Sequence, residues 1–155
     1  MQSQRSQGTG PEKALRRELH RRGFRFRLHR RVPGASRRLI DIAFPGARVA
    51  VLVDGCFWHG CPEHGTHPRS NAGYWRDKIA ANRVRDADTD RRLIEAGWIP
   101  VRIWEHEVPS LAADRVSAVL AVRRVDNSAG PDASSRERSH GHRRDGSQEI
   151  SSAAG

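Results

Sequence analysis

Residues 39–54 read Leu39-Ile40-Asp41-Ile42-Ala43-Phe44-Pro45-Gly46-Ala47-Arg48-Val49-Ala50-Val51-Leu52-Val53-Asp54. Two apolar runs, each too short for a buried helix, flank a Pro-Gly pair that marks a tight turn. The spacing predicts a strand over 39–44 and another over 48–53, the second buried on both faces. Asp41 breaks the pattern. A carboxylate inside an apolar strand costs free energy unless it is paired, binds a cation or is turned to water by a twist or bulge. Simple alternation places it on the face of Leu39 and Ala43.

Upstream, Phe24, Phe26 and Leu28 alternate with Arg25, Arg27 and His29, which predicts a half-buried strand with a basic outer face. Val32-Pro33-Gly34-Ala35 then turns the chain. Before that strand, Thr9 or Gly10 can cap a helix with Pro11 in its first turn and Glu12 near its positive end. Ala14, Leu15 and Leu19 recur at helical spacing and Gly23 is the stop. Downstream, residues 54–73 hold four Gly and two Pro and no sustained period, a long loop of the kind that carries function. Residues 74–96 predict a charged helix with the stripe Trp75, Ile79, Val84, Leu93 and Ile94, closed by Gly97. Residues 98–104 predict a fourth strand, and Ser110 can cap a last helix carrying Leu111, Val116, Val119 and Leu120. The order α-β-β-β-α-β-α implies an α/β domain over 10–125, with a mixed central sheet flanked by helices. Residues 1–9 read as a disordered polar arm. Residues 126–155, with Ile150 their only large apolar residue, read as a disordered tail.

The chain of 155 residues is 36% hydrophobic and 30% charged, enough for one domain. Its 28 Lys and Arg outnumber 18 acids, and all but two of the cations are Arg. Residues 1–40 hold 12 of those cations against 2 acids, while residues 126–155 hold 4 against 5. Charge concentrated in this way attracts polyanions, nucleic acid first among them, although a plain arginine bias would also produce it. The longest apolar run, 49–53, has five residues, where a membrane span needs about 20. No basic-then-apolar leader opens the chain. The expectation is a cytoplasmic protein with no membrane association.

The only cysteines, Cys56 and Cys61, lie five apart, with His64 and His67 close behind and His106 just past the fourth strand. A disulfide closing so small a loop gains little. Cysteines near histidines point instead to metal, and Cys56, Cys61, His64 and His106 form a tetrahedral Cys2His2 set of the structural zinc kind. His67 is the reserve ligand, and two reduced cysteines beside solvated histidines are the plain alternative. A zinc site would supply the folding free energy that a loop poor in aliphatic residues lacks.

Asp41, Asp54 at the end of the next strand and Glu12 on the first helix offer the hard oxygen ligands that Mg2+ requires. Beside phosphate, such an ion polarises a phosphodiester and activates water. His59 in the loop can move a proton near neutral pH, or serve as a spare zinc ligand. Phe57 and Trp58 lie between glycines, with Tyr74 and Trp75 opening the next helix. Such rings suit stacking on bases or wedging between base steps, or they form a small core over the zinc site.

The run Val53-Asp54-Gly55-Cys56-Phe57-Trp58-His59-Gly60-Cys61-Pro62 resembles the G-C-F-W-H signature of the very short patch repair endonucleases, which nick DNA beside a T·G mismatch. The likeness runs from Pro11-Glu12-Lys13 through Asp41, Tyr74-Trp75-Arg76-Asp77-Lys78-Ile79, Asn82 and Arg85-Asp86 to Gly97-Trp98 and Ile103-Trp104-Glu105-His106, roughly residues 10–122. The resemblance implies a restriction-endonuclease-like core. It implies Asp41 as the catalytic Mg2+ ligand with the Val53 backbone carbonyl beside it, His59 as the assistant of water attack, and Glu12 as the acidic residue of the first helix. Cys56, Cys61, His64 and His106 fall at or near the structural zinc positions. Phe57, Trp58 and Trp75 match the rings that open the duplex, and Lys78 and Asn82 match polar residues of the helix that meets DNA.

Two departures stand out. Many members carry His where this chain has Asp54, so Asp54 either joins Asp41 on the metal or changes the rate and cofactor need. The basic R-S-x-x-M segment usual before the first helix is also missing. The resemblance implies a monomeric, Mg2+-dependent, nucleoid-associated enzyme that starts short-patch repair on duplex DNA, with a cognate cytosine methyltransferase and mismatch-repair proteins as partners. A nuclease of the same fold without T·G preference and a DNA-binding module with an impaired site are the alternatives.

Overall fold

The structure, a computed structural model, describes residues 8–64 and 70–128. Helix α1 (Gly10–Arg21) starts as its sequence dictates: Thr9 Oγ1 accepts from the Glu12 amide at 3.4 Å, with Pro11 in the first turn. Strands β1 (Arg27–Val32), β2 (Ala35–Phe44) and β3 (Val49–Asp54) follow as an antiparallel meander. A short helix α2 (Cys56–His59) and the long α3 (Ala72–Glu95) carry the chain over to β4 (Ile99–Trp104), which runs parallel to β3. Helix α4 (Pro109–Ser128) closes the fold. The sheet order is β1-β2-β3-β4, so the mixed sheet flanked by helices is as expected. Among the described residues no helix is long and apolar enough to cross a membrane.

Each face of the sheet has its own core. On one face Leu15 and Leu19 of α1 and Ala113, Val116 and Leu120 of α4 pack on Ile42, Phe44, Val51 and Ile103. On the other, Leu93 of α3 and Trp98 pack on Ile40, Ala43, Ala50 and Leu52. Burying each large aliphatic side chain contributes about 1.5–3 kcal/mol.

Several boundaries differ from the sequence reading. The first strand starts at Arg27 rather than Phe24, because Phe24 and Phe26 pack edge-on to Phe44 as the chain leaves α1. The loop contains α2, whose single turn is too short to show a period. Val84 and Ile94 are 71% and 62% exposed, so the expected stripe on α3 is broken. That helix meets α2 through Asn82, Arg83 and Asp86 and the sheet-side core through Leu93, and Val84 and Ile94 point away from both. The last helix begins at Pro109, so Ser110 lies inside its first turn, and it runs beyond the expected limit at 125. Most of the polar arm and of the Ser/Gly/Arg-rich tail, together with His67, lies outside the described residues.

The break in the apolar pattern at Asp41 becomes a break in the sheet. Ile42 and Phe44 face the α1/α4 core, yet Ile40 faces the α3 core with Ala43, so alternation fails between 40 and 42. The β2–β3 ladder stops at Ile42↔Val51. Beyond it, the Val53 amide donates to Asp41 Oδ2 at 2.8 Å in place of a main-chain partner. Opposite Asp41, between the pairs Leu28↔Ile42 and Arg30↔Ile40, His29 takes φ 51°, a left-handed conformation rare in a strand.

Candidate active site and metal centre

A cleft of about 550 Å³ opens at this break, lined by Glu12, His29, Asp41, Val53, Trp58, His59 and Asp86 among others. Helix α2 forms one rim and is held at both ends. Its first amide, Cys56 N, donates to Glu105 Oε1 at 2.7 Å. Its last carbonyls are taken from α3: Asn82 Nδ2 donates to Trp58 O at 2.8 Å and Arg83 Nη2 to Gly60 O at 2.8 Å. Gly60 ends the turn at φ 62°, and a Cβ there would stand 2.9 Å from Ile79 Cγ2, so glycine is required twice over.

Zinc was expected at Cys56, Cys61, His64 and His106, and the structure brings all four ligand atoms within 4.8 Å of one another. Zinc bonds of ordinary length set tetrahedral S···N edges of about 3.6 Å. The observed separations to ring Nδ1 bracket that value: Cys56–His106 at 3.1 Å, Cys61–His106 at 3.7 Å and Cys61–His64 at 4.0 Å. His106 Nε2 lies 3.4 Å from Glu63, a carboxylate placed to orient the ring. Burial and the neighbouring Cys61 push the Cys56 thiol up to about 11. A bound cation reverses that penalty, because thiolates ligate deprotonated. The donor set and its geometry therefore fit a Cys2His2 ion.

The carboxylates expected to share one cation fall into two groups. Glu12, His29 and Asp41 form one, and Asp54, His59 and Asp86 the other. Asp54 is 3% exposed, and Arg102 Nη1 donates to both its oxygens at 2.9 and 2.8 Å. Burial pushes the Asp54 carboxyl up, and Arg102 and His59 oppose the shift. Arg102 also meets Asp90 at 3.0 Å and Asp86 at 3.6 Å. Burial disfavours its charge, but hydrogen bonding to Asp90 and attraction to Asp54 outweigh that and raise its pKa. Of the two fates open to Asp54, the structure sets it with Arg102 and His59 rather than with Asp41.

His59 Nδ1 is hydrogen-bonded to Asp86 Oδ2 and lies 3.7 Å from Asp54. An ionised carboxylate only accepts, so Nδ1 carries a proton, and in the neutral ring the lone pair is therefore on Nε2. Phe57, Trp58 and Trp75 gather into one cluster with ring centroids 5.0 to 5.8 Å apart, and Trp58 is 39% exposed on the cleft. Lys78 Nζ lies over the Tyr74 ring at 5.6 Å.

Four residues of the site were given no role by the sequence. Asp86 reaches His59 only through the docking of α3 on α2, and nothing local marks it. Arg102 was findable, since a lone cation in the apolar strand Ile99–Trp104 poses the same question as Asp41 does in β2. His29 read as part of a basic face, and Glu105 was named only within the family likeness, without a role.

A family model described as DNA mismatch endonuclease Vsr matches residues 1–64. The type II nicking enzyme V.NaeI of Lentzea aerocolonigenes is 43% identical over 122 residues, covering 77% of this chain and 72% of its own. V.XorIIP, a type II nicking enzyme of Xanthomonas oryzae pv. oryzae, is 45% identical over 118 residues, 73% of this chain and 82% of its own. The DNA mismatch endonuclease Vsr of Escherichia coli is 31% identical over 84 residues, 46% of this chain and 52% of its own. With the cleft, the paired histidine and the Cys/His centre in place, these likenesses establish that the chain belongs to the Vsr family of nicking enzymes and is a DNA endonuclease.

Proposed function

We propose that this endonuclease nicks duplex DNA beside a T·G mismatch, by a Mg2+-dependent hydrolysis that starts short-patch repair. The observation that carries the reading is one cleft lined by Asp41, Val53, His59 and the half-exposed Trp58. Asp41, fixed by the Val53 amide, and the Val53 carbonyl would hold Mg2+, which would polarise the scissile phosphodiester. His59, held by Asp86 through Nδ1, takes a proton from the attacking water at Nε2 and can return it to the leaving oxygen. Asp54, itself held by Arg102, backs the same ring nitrogen at 3.7 Å, and Glu12 lines the cleft beside Asp41. Phe57, Trp58 and Trp75 wedge the duplex where a mispair stacks least well, with Lys78 and Asn82 on the adjoining face of α3.

The remainder follows from the same function. Residues 10–125 act as a restriction-endonuclease-like nuclease domain, and Cys56, Cys61, His64 and His106 hold a structural zinc. The enzyme works as a monomer at the nucleoid, with a cognate cytosine methyltransferase and mismatch-repair proteins as partners. The names of its relatives as type II nicking enzymes favour a second reading, a nuclease of the same fold without T·G preference. Cleavage of a labelled T·G duplex and its fully paired counterpart, each with and without Mg2+, decides between them. Equal nicking of both duplexes removes the mismatch assignment, and nicking in chelator removes the metal. Asp41→Asn should lower nicking by orders of magnitude while binding persists.

A further inference from the structure

Glu12, His29 and Asp41 all line the cleft, and their ligand atoms lie within 4.8 Å of one another. An octahedral ion holds its ligands roughly 3 Å apart when adjacent and roughly 4 Å apart across the metal. Glu12 is 4% exposed, a buried carboxylate that requires a cation. In this structure that cation is Arg16, which pairs with Glu12 and places Nη2 3.2 Å from His29 Nε2. A guanidinium has donors only, so His29 must present its lone pair there, the same lone pair that a metal ion takes. Arg16 fits imperfectly, because its Nε is buried without a hydrogen-bond partner among the described residues.

We propose that Glu12, His29 and Asp41 form a mixed nitrogen–oxygen cation site, with His29 as a metal ligand and Mn2+ preferred over Mg2+. The inference rests on Asp41 as the holder of the catalytic ion and adds a nitrogen ligand to that reading. Mn2+ accepts the same carboxylate oxygens as Mg2+ but, as a first-row transition ion, takes an imidazole nitrogen more readily than Mg2+ does. Arg16 is the place-holder: it neutralises Glu12 and occupies the His29 lone pair until a divalent ion competes for both.

The test needs no DNA. Zinc-loaded protein is titrated with Mn2+ and the bound ion examined by pulsed electron paramagnetic resonance for coupling to nitrogen. Coupling is expected in the native chain and should vanish in His29→Asn, with Mn2+ affinity falling roughly 10-fold or more. Asn also tolerates the left-handed backbone at this position, so the variant should fold. A second variant, Arg16→Gln, should lose thermal stability and regain part of it in Mn2+, since ion and guanidinium share the same partners. Mn2+ binding that needs Asp41 but shows no nitrogen coupling, or is indifferent to His29→Asn, overturns the inference and leaves the Asp41 reading intact. Binding indifferent to Asp41→Asn as well overturns both.

Discussion

The imidazole of His59, the last residue of α2, rests through Nδ1 on the carboxylate of Asp86, 27 positions later on α3. That contact fixes which ring nitrogen can accept a proton. Asp86→Asn can donate to Nδ1 instead and so select the wrong tautomer. Single-turnover nicking should fall about 10²-fold or more, with little change in DNA affinity. Combining it with His59→Ala should add almost nothing, because the two residues act as one unit. An additive double mutant would show that Asp86 works elsewhere.

The Cys/His centre should hold about one equivalent of zinc in purified protein. Chelation and Cys56→Ser should each lower the thermal midpoint, and zinc should restore the chelated protein but not the variant. Well-folded protein without metal would refute the assignment.

Trp58 is the most exposed ring of its cluster, so Trp58→Ala should fold. Unstacking a base step costs roughly a few kcal/mol and least at a mispair, so this variant should lose most of its preference for T·G over paired DNA. Competition binding at fixed salt measures that ratio, and an unchanged ratio places recognition on other residues.

Two neighbouring arginines of α1 should behave differently. Arg17 is exposed, and Arg17→Ala should reduce the salt slope of DNA binding by about 1 if it meets a phosphate. Arg16, one position earlier, is turned inward onto Glu12. Arg16→Ala strands a buried carboxylate and should cost about 3 kcal/mol in denaturant unfolding. Equal effects of the two substitutions would contradict the buried pair.

Acid should weaken the α1–α4 contact through Glu18. Hydrogen bonds from Arg21 and Arg22 hold its carboxyl down from 4.5 to about 2, and Arg22 reaches on to Asp114 of α4 at 2.6 Å. A depressed carboxylate stabilises the fold above its ordinary pKa and loses that contribution as pH falls toward the folded value. The native chain should therefore lose stability between about pH 4.5 and 2 more steeply than Glu18→Gln. Parallel acid-unfolding curves would show that the pair contributes nothing.

What the sequence made legible follows from range. The Pro45-Gly46 turn, the buried third strand and the capped first helix are local, and each appears where turn chemistry and periodicity placed it. The Cys/His cluster was legible because four residues of metal-binding type close to one loop and one strand end have few other uses. The His59–Asp86 and Asp54–Arg102 contacts depend on helix docking and strand register, to which no local pattern responds. Asp41 lies between the two: its oddity was plain in the sequence, but the fault it opens in the sheet was not.

That fault makes Asp41 the last rung between β2 and β3, since its side chain, not its backbone, receives the Val53 amide. A single carboxylate thus does two jobs, carrying charge and setting the gape of the fork above it. Alanine here would spread the strands as well as discharge the site, and a dead enzyme would say nothing about which mattered. Asparagine keeps an acceptor for the amide, so it separates the hinge pin from the proposed ion holder.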